Sequence, residues 1–478
     1  MNIFEIIKSE TALLGHRTAV VEGANRISYR TLIDAAELVA ENLLCRGVER
    51  CHRIGLLCDD SIDYIIVSLA ILSLHAVIVP VSPEQTDEER KAVITRIDVD
   101  FLLAEQRLYQ GAEGMPLPSA GFRSRDFVIV RRSPKLKPPD DYYRVNPAFI
   151  RFSSGTTGTS KGVVLSHESI IERTDAADDG LRITPEDTVL WVLSMSYHFV
   201  VTILLFLRRG ATIVLCGRPF PEALVTGIIR ERGTFIYASP FHYGMLARSD
   251  ALAADALGQV RMAVSTAMKL PLETAEQFRR KFGFQLTEAY GIIEVGLPFI
   301  RLDGEREKPG SVGRALPAYE VMLDQGDADG AGEILIRGKG MLDAYYSPWQ
   351  GRNKVLTDGW FRTGDIGRFD RDGFLSIVGR EKEVINFVGM KIFPQEVEEV
   401  LNRHPLVRES LVYGMPHPVY GELPVAKIVP ASPSCGDSGL DELRRFCYHH
   451  LASYKVPKEF KLVDLLEKTA SGKIQRYR

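Results

Sequence analysis

The sequence predicts an α/β fold in which α/β regions are followed by a β-rich region and a small α+β domain. Three observations predict it. The first is the alternation of strand and helix patterns in the first third of the chain, in the order helix Ser28–Arg46, strand Arg53–Leu57, helix Ile62–Leu74 and strand Ala76–Pro80. A strand–helix–strand order favours a mainly parallel sheet.

The second observation is that this rhythm returns further along, around Thr188–Leu193, Leu204–Leu215, Thr234–Ala238 and Val260–Val264. The third is a change of texture after Arg314, where shorter strands with Gly/Asp turns are expected at Val321–Leu323, Gly332–Arg337 and Arg368–Val378. Gly379–Glu383 then interrupts the pattern, and helices are expected at Pro394–Asn402 and Leu440–Leu451. We therefore place a domain boundary at Gly379–Glu383, since the residues that follow suffice for a small independent domain.

The composition is that of a globular protein. The chain has 478 residues, of which 45% are hydrophobic and 25% are charged. These values exclude disorder, collagen and coiled coil as the main class. Lys and Arg number 59 against 62 Asp and Glu, a formal charge of −3. No basic excess exists to neutralise a phosphate backbone, so we expect no nucleic-acid partner.

The cysteines and the apolar segments indicate a cytoplasmic protein. None of the six cysteines forms a CxxC pair, and we interpret them as buried or incidental thiols in a reducing compartment. The N-terminus lacks a signal-peptide pattern. The most apolar stretch, Tyr64–Val81, contains two Ser, one His and one Pro. It predicts a buried helix running into a buried strand, with no membrane span.

The densest chemistry lies at Ser153–Gly162, which reads SSGTTGTSKG. Glycines let backbone N–H groups converge, while hydroxyls and Lys161 add donors and charge, a combination that suits a polyphosphate. Both flanks are strand-like. The common NTPase loop has Gly before its Lys, Ser or Thr after it, and then a helix. Here Ser160 precedes Lys161 and a strand follows, which disfavours that loop; an ordinary Gly/Ser-rich hairpin is the alternative.

Further motifs follow in a fixed order, namely AYGIIE at Ala289–Glu294, WFRTGD at Trp360–Asp365, Gly379–Arg380, GMKIFP at Gly389–Pro394 and KTASGKIQR at Lys468–Arg476. With these motifs nearly the whole chain resembles the adenylate-forming ligases, which include acyl- and aryl-CoA synthetases, peptide-synthetase adenylation domains and firefly luciferase. The resemblance implies an ATP- and acyl-binding domain at 1–379, a hinge at 380–383 and a small mobile lid domain at 384–478, with the active site between them. It also implies two steps: a carboxylate attacks the α-phosphate of ATP, and a thiol then displaces AMP.

The resemblance also assigns roles to individual residues. Those implied to hold the ATP phosphates are Ser153, Ser154, Gly155, Thr156, Thr157, Gly158, Thr159 and Lys161. Tyr290 is implied to stack beside the adenine, and Glu294 to bind Mg²⁺, for which a carboxylate is a suitable hard ligand. Asp365 and Arg380 are implied to contact the ribose, whose hydroxyls an acceptor-only carboxylate suits.

Four more positions carry implied roles in catalysis. Lys473 would bridge the substrate carboxylate and the α-phosphate, where an ammonium stabilises the charge of the transition state. Lys382 would be the hinge about which the lid turns, and Gly389 would let a pantetheine arm pass close to the backbone. His198 would border the acyl pocket, and the largely apolar run Phe199–Leu205 follows it.

The departures from the family pattern include three single residues and the segment Ser265–Met268, which replaces a more Gly-rich stretch. Ile293 stands where Thr is usual, Ser160 precedes the loop lysine, and Glu467 replaces a Pro. The segment around His198 lacks the Asp with which amino-acid-activating relatives hold an α-ammonium, so an amino acid bound in that manner is not expected.

We therefore expect an ATP- and Mg²⁺-dependent ligase. It would activate an apolar aliphatic or aromatic carboxylic acid and form a thioester with CoA. Two alternatives remain open at this point. The acceptor can be the phosphopantetheine of an acyl carrier protein, or the chain can be a non-catalytic nucleotide-binding relative, an alternative that rests on the three single-residue departures.

Overall fold

The structure is a computed structural model that describes residues 1–119, 121, 124–152, 161–217, 219–302, 308, 310–324, 330–388, 390–432, 437–468 and 474–476. The described chain forms two compact units. The first contains residues from 1–320 and 337–361, and the second contains residues from 321–336 and 362–478. The boundary predicted at 380–383 falls within the second unit and stays a prediction.

Several helices of the first unit begin at capping side chains. Ser61 accepts a hydrogen bond from the Tyr64 N–H at the start of Ile62–Ser73, which is buried from Ile62 to Leu72. Thr86 and Glu89 form a reciprocal capping box. The helices are α1 Ile3–Glu10, α2 Tyr29–Leu44, α3 Ile62–Ser73, α4 Asp87–Ile97, α5 Asp140–Arg144, α6 His167–Leu181, α7 Met195–His198, α8 Leu204–Arg208, α9 Glu222–Arg230, α10 Pro240–Arg248, α11 Leu272–Phe282 and α12 Arg352–Val355.

One nine-stranded sheet of the first unit has parallel strands at its centre and antiparallel strands at its edges. In sheet order its strands are β16 Arg314–Ala315, β15 Gly296–Ile300, β14 Thr287–Ile292, β13 Met262–Ser265, β12 Phe235–Ala238, β10 Thr188–Trp191, β11 Thr212–Leu215, β1 Thr18–Glu22 and β2 Asn25–Ser28. An apolar core packs on one face, around Leu190, Ile236 and Phe278.

A second nine-stranded sheet carries the strands on either side of the predicted phosphate loop. In sheet order its strands are β20 Gln350–Gly351, β19 Ala344–Tyr345, β9 Gly162–Ser166, β8 Pro147–Phe152, β4 Val77–Val81, β3 Arg53–Leu57, β5 Phe101–Glu105, β7 Phe127–Arg131 and β6 Met115–Pro116. β8 and β9 pair antiparallel, with Phe152 opposite Gly162. A strand therefore follows Lys161, as the sequence predicts, and the argument against the common NTPase loop is confirmed.

A four-stranded sheet follows, in the order β17 Tyr319–Asp324, β18 Ala331–Gly338, β21 Phe361–Phe369 and β22 Leu375–Arg380. β21 and β22 form a hairpin whose turn contains Gly373 at a φ of 82°. Asp370 closes that turn by accepting hydrogen bonds from the N–H groups of Asp372 and Phe374. The Gly/Asp turn predicted there is confirmed, and it sets the register that matters for the site.

The end of the chain folds into a five-stranded sheet with two helices. Its strands are β23 Ile385–Phe387, β24 Met390–Ile392, β25 Val407–His417, β26 Gly421–Pro430 and β27 Glu459–Leu462, and its helices are α13 Pro394–Leu401 and α14 Asp437–His450. A small core that includes Ile392, Val397, Leu443 and Val456 joins the helices to the sheet. The small α+β domain predicted after the interruption is confirmed.

The apolar stretch and the cysteines match their interpretation where the structure describes them. Tyr64–Val81 forms most of α3 and then β4, all of it buried except Ser73–His75. In the described ranges no helix combines the length and the apolar character needed to cross a membrane. Cys45 is exposed and the thiols of Cys51, Cys58, Cys216 and Cys447 are buried, each of them free. Cys435 lies outside the described residues.

Candidate active site

The hairpin of β14 and β15 positions two of the candidate residues. Tyr290 lies on β14, half-buried, with its ring 6.2 Å from that of the cross-strand residue Phe299. Glu294 lies in the turn between the two strands. Its carbonyl accepts a hydrogen bond of 2.7 Å from the N–H of Leu342. The main chain at Glu294 is therefore fixed by a segment distant in sequence.

Tyr345 connects Glu294 with Lys161. Its hydroxyl lies 3.4 Å from Oε1 of Glu294, and the Nζ of Lys161 lies 4.5 Å from the centroid of its ring. This contact arises because β19, which carries Tyr345, pairs antiparallel with β9, the strand that directly follows Lys161. The structure thus brings together the two residues implied to hold the phosphates and the metal.

Burial and the Glu294 carboxylate together raise the pKa of Tyr345 above its ordinary value. The phenol therefore stays protonated at neutral pH and donates its proton toward Glu294. The ammonium group of Lys161 lies over the face of the Tyr345 ring, where a cation is attracted to the π electrons.

Arg151, next to the predicted loop, joins this region to the helix that carries His198. Its guanidinium donates a hydrogen bond to the carbonyl of Tyr197, the residue before His198. Burial lowers the pKa of Arg151, and the charge of Glu294 opposes that shift. Arg151 therefore ties the end of β8 to the helix that carries His198.

His198 ends α7 and is followed by a π-helical turn, Phe199–Ile203, which leads into α8. Its ring lies 6.3 Å from that of Trp191, which stacks on Tyr237 at 5.6 Å. Trp191 and Tyr237 are buried. The predicted apolar character of the segment after His198 is confirmed by the burial of Phe199, Val200 and Ile203. π-helical turns occur often at functional sites.

The second unit brings Asp365 and Arg380 together. They are cross-strand partners on β21 and β22, and the Nε of Arg380 lies 2.9 Å from Oδ1 of Asp365. Asp365 is buried, and its N–H donates to Oγ1 of Thr363. Gly364, at a φ of 70°, gives the strand the left-handed conformation that its turn toward Asp365 requires.

Lys382 lies in a short 3₁₀ turn, Glu381–Glu383, directly after β22. Glu383 beside it is buried, with its Oε2 3.2 Å from Nε of Arg476. The other two nitrogens of that guanidinium bind Glu398 in a bidentate pair at 2.7 and 2.6 Å. The chain around Lys382 is therefore tied to a residue close to the C-terminus.

The remaining candidates lie outside the described residues, and nothing in the structure places them. They are Ser153, Ser154, Gly155, Thr156, Thr157, Gly158, Thr159, Gly389 and Lys473. Ser160 lies there too.

Sequence reasoning missed three residues of the first unit, namely Tyr345, Arg151 and Arg173. Tyr345 depends on a strand of two residues, too short to leave a pattern. Arg151 gave one signal, a cation inside an otherwise apolar strand next to the loop. Arg173 lies in a helix segment rich in acidic residues, where an exposed position is the ordinary expectation.

A loop suited to a polyphosphate joins two paired strands, and Tyr345 lies between the amine of Lys161 and the carboxylate of Glu294. These features indicate an enzyme that binds a nucleotide. The chain belongs to the AMP-binding enzyme family. The family profile matches residues 9–346, and the profile of the AMP-binding enzyme C-terminal domain matches residues 396–473.

Known proteins of similar sequence and structure agree with this membership. A 2-succinylbenzoate–CoA ligase of Bacillus licheniformis is 29% identical over 99% of this chain and 98% of its own. A sulfoacetate–CoA ligase of Cupriavidus necator is 34% identical over 69% of this chain and 66% of its own. The structure of the o-succinylbenzoate CoA synthetase from Bacillus subtilis in complex with its acyl-adenylate superimposes with a TM-score of 0.84, at 23% identity and coverage of 100% and 97%. That likeness confirms the predicted fold, with its large N-terminal and small C-terminal domains.

Proposed function

We propose that this protein is an AMP-forming acid–CoA ligase acting on an apolar aliphatic or aromatic carboxylic acid. The proposal rests on one observation, the contact of Tyr345 with both Lys161 and Glu294. Lys161 belongs to the loop motif Ser153–Gly162, and Glu294 ends the motif Ala289–Glu294, and both motifs lie within the matched family region. The printed names of two relatives, both CoA ligases, support the reaction class. A cytoplasmic location is part of the proposal.

The residues of the first unit fit a magnesium ion that arrives with a triphosphate. In the described ranges no group of three His, Cys, Asp or Glu side chains could hold a metal ion. Glu294 is a single carboxylate with Lys161, Arg151 and Arg173 in its surroundings. Mg²⁺ commonly binds through one or two carboxylates and the phosphates of a substrate. When bound, it would neutralise phosphate charge.

In the proposed first half-reaction the acid carboxylate attacks the α-phosphorus of ATP and pyrophosphate leaves. Lys161 and residues 153–159 hold the phosphates, and Tyr290 stacks on the adenine. Asp365 and Arg380 serve the ribose. Lys473 neutralises the charge that gathers between the carboxylate and the α-phosphate, a role whose loss typically costs on the order of 10²–10³ in rate.

In the proposed second half-reaction the CoA thiolate attacks the acyl carbon and AMP leaves. The lid domain turns about Lys382 between the two steps, and Gly389 lets the pantetheine arm pass. His198 and the buried apolar residues after it border the acid. An acyl group without further charge suits such a wall because burying an unpaired charge there would be costly.

The first experiment is substrate-dependent exchange of labelled pyrophosphate into ATP, across a panel of aryl acids, fatty acids and acids with a second anionic group. We expect exchange with aryl or aliphatic monocarboxylic acids. Exchange confined to doubly anionic acids would overturn the proposed acid class. Absence of exchange with every acid, while ATP still binds, would favour the non-catalytic alternative.

The second experiment assigns the lysine of the C-terminal segment. Lys473→Ala should abolish exchange, yet it should spare thioester formation from a supplied acyl-adenylate. Lys468→Ala is the matched control, because Lys468 lies in the same segment, exposed and paired with Glu409. If both half-reactions of the Lys473 variant keep wild-type rates, the role is misassigned.

The third experiment decides the acceptor. CoA and a purified phosphopantetheinylated carrier protein are offered side by side to the enzyme with its preferred acid and ATP. We expect thioester on CoA. Acylation of the carrier protein alone would replace CoA by the carrier in the proposal.

A further inference from the structure

Arg173 is a buried cation whose hydrogen bonds go to neutral partners. It lies on α6 with its side chain fully buried. Its Nε and Nη2 donate to the carbonyl of Gly340, and its Nη1 donates to the carbonyl of Ile293 at 3.0 Å. Among the described residues no carboxylate forms an ion pair with it. Burying a charge in this way is costly, so its position calls for a physical reason.

The guanidinium remains charged at neutral pH. Burial lowers the pKa of Arg173 to about 10, and the nearby groups Tyr319, Asp343 and Glu294 oppose that shift. The guanidinium lies 3.0 Å from the carbonyl oxygen of Ile293, the residue before Glu294. The cation lies behind the turn that carries this carboxylate.

The two carbonyls that Arg173 holds are those that set the position of Glu294. Ile293 directly precedes Glu294. Gly340 begins the segment whose Leu342 N–H donates to the carbonyl of Glu294 at 2.7 Å. Three residues after Leu342 comes Tyr345, whose hydroxyl contacts the Glu294 carboxylate. One guanidinium therefore fixes both chain segments that meet at Glu294.

The packing around Gly340 allows little freedom. Gly340 has a φ of 67°, and a Cβ there would lie 2.5 Å from the Arg173 backbone N. Its N–H donates to Oε2 of Glu172 at 2.9 Å. The main chain at Gly340 is therefore in direct contact with the main chain of α6 at Arg173. Neutral donors would suffice for such a junction, so the charge of Arg173 is left without a structural explanation.

We infer that Arg173 is a positioning residue for the magnesium–ATP complex. It fixes the main chain of Ile293 and Glu294, and it places a positive charge behind Glu294 where the anionic triphosphate is to bind. The inference rests on the proposed function and extends it to a residue that touches neither ATP nor the acid.

The test measures the dissociation constant of ATP for the full-length chain by calorimetry. ATP is titrated into the protein at several fixed concentrations of Mg²⁺, with no acid present. Arg173→Met should weaken ATP binding in the presence of Mg²⁺ by about tenfold or more, the scale of a lost hydrogen-bonded charge. Arg173→Lys keeps the charge with fewer donors, and it should lose less. Arg173→Gln keeps donors without the charge, so a loss in this variant isolates the charge.

The matched control is Arg125→Met. Arg125 is a half-buried arginine of the same unit whose ion pairs go to Glu105 and Glu22, neither of which is a candidate site residue. It should lower the thermal midpoint while leaving ATP binding in the presence of Mg²⁺ within twofold of wild type. If Arg173→Met does not fold, the Lys and Gln variants decide the question.

The outcomes separate the inference from the proposed function. Wild-type ATP affinity in all three folded Arg173 variants would overturn the inference alone. An equal loss in Arg125→Met would show that the effect is a general loss of stability, which also overturns it. A wild-type chain that binds ATP but shows no exchange with any acid would sink the proposed function and leave the binding result standing.

Discussion

Each unit has an arginine that holds chain near candidate site residues, fully buried in the first unit and half-buried in the second, and the acceptors of the two differ. In the first unit the Arg173 guanidinium meets only carbonyl oxygens among the described residues. In the second unit Arg476 meets two carboxylates, those of Glu398 and Glu383. One cluster has a surplus positive charge, and the other has two carboxylates for one cation.

The pKa shifts follow this difference. Burial lowers the pKa of Arg173, because no ion pair compensates the loss of water. Burial raises the pKa of Glu383, although Arg476 and Arg380 act to lower it. The comparison teaches that a surplus cation is kept where an anionic ligand is proposed to bind. The cluster of Arg476 instead ties the turn after β22 and the helix α13 to the last described residues of the chain.

The largest effect is expected from breaking the ion pairs of Arg476. Arg476→Met leaves Glu398 and Glu383 buried without their cation, which should cost about 3–5 kcal/mol of unfolding free energy in the second unit. Hydrogen exchange of β25 measures it locally, because the Val412 N–H donates to Glu398. We expect the amides of β25 to exchange much faster than in wild type.

Arg403→Met serves as the control for that variant, since Arg403 is exposed in the same unit. It should leave β25 exchange unchanged. Wild-type protection in Arg476→Met would mean that the bidentate pair contributes nothing to holding the end of the chain.

The next largest effect is expected at Gly340, which packs against Arg173 in the first unit. Gly340→Ala forces a Cβ against the Arg173 backbone at a positive φ, so it should cost roughly 2–4 kcal/mol. Gly283→Ala is matched, because Gly283 has a φ of 64° in the same unit and a Cβ added there would meet nothing within 4 Å. It should carry only the conformational cost, about 1 kcal/mol. Urea unfolding of both variants compares them, and equal costs would refute the tight junction at Arg173.

The smallest effect concerns pH. A folded-state pKa of Glu383 raised above 4.5 means that the folded chain binds this proton more tightly than the unfolded chain. Its contribution to stability is therefore fully present below 4.5 and is lost as the pH rises through the raised pKa. Glu383→Gln lacks this loss, so its thermal midpoint relative to wild type should rise between about pH 4 and pH 7. A difference that does not change with pH would contradict the raised pKa.

Local patterns predicted much of the fold. β3 matches the predicted Arg53–Leu57, and α13 and α14 lie where helical spacing placed them. These elements depend on apolar runs and periodicity within one segment. Pairing between distant segments leaves no such pattern, and β19 is the example, since its two residues form a strand only against β9.

For the candidate site, too, the sequence identified residues within local motifs but not contacts between distant segments. Motifs identified Lys161, Glu294, Asp365 and Arg380, and the structure joins them in two separate pairs of contacts. Arg173 could not be found in this way, because its partners Ile293 and Gly340 are backbone carbonyls far along the chain. Every residue carries a backbone carbonyl, so the sequence does not show which carbonyls a buried arginine will bind.

The π-helical turn at Phe199–Ile203 has an evolutionary consequence. A wide turn accommodates one residue more than regular winding, so an in-frame loss of a single codon there would restore the α-helix and change only the residues of the turn, while α7 and α8 keep their phase. The packing of α8 is untouched by that event. One wall beside the proposed acid can thus be remodelled by a single genetic step while the body of the enzyme stays as it is.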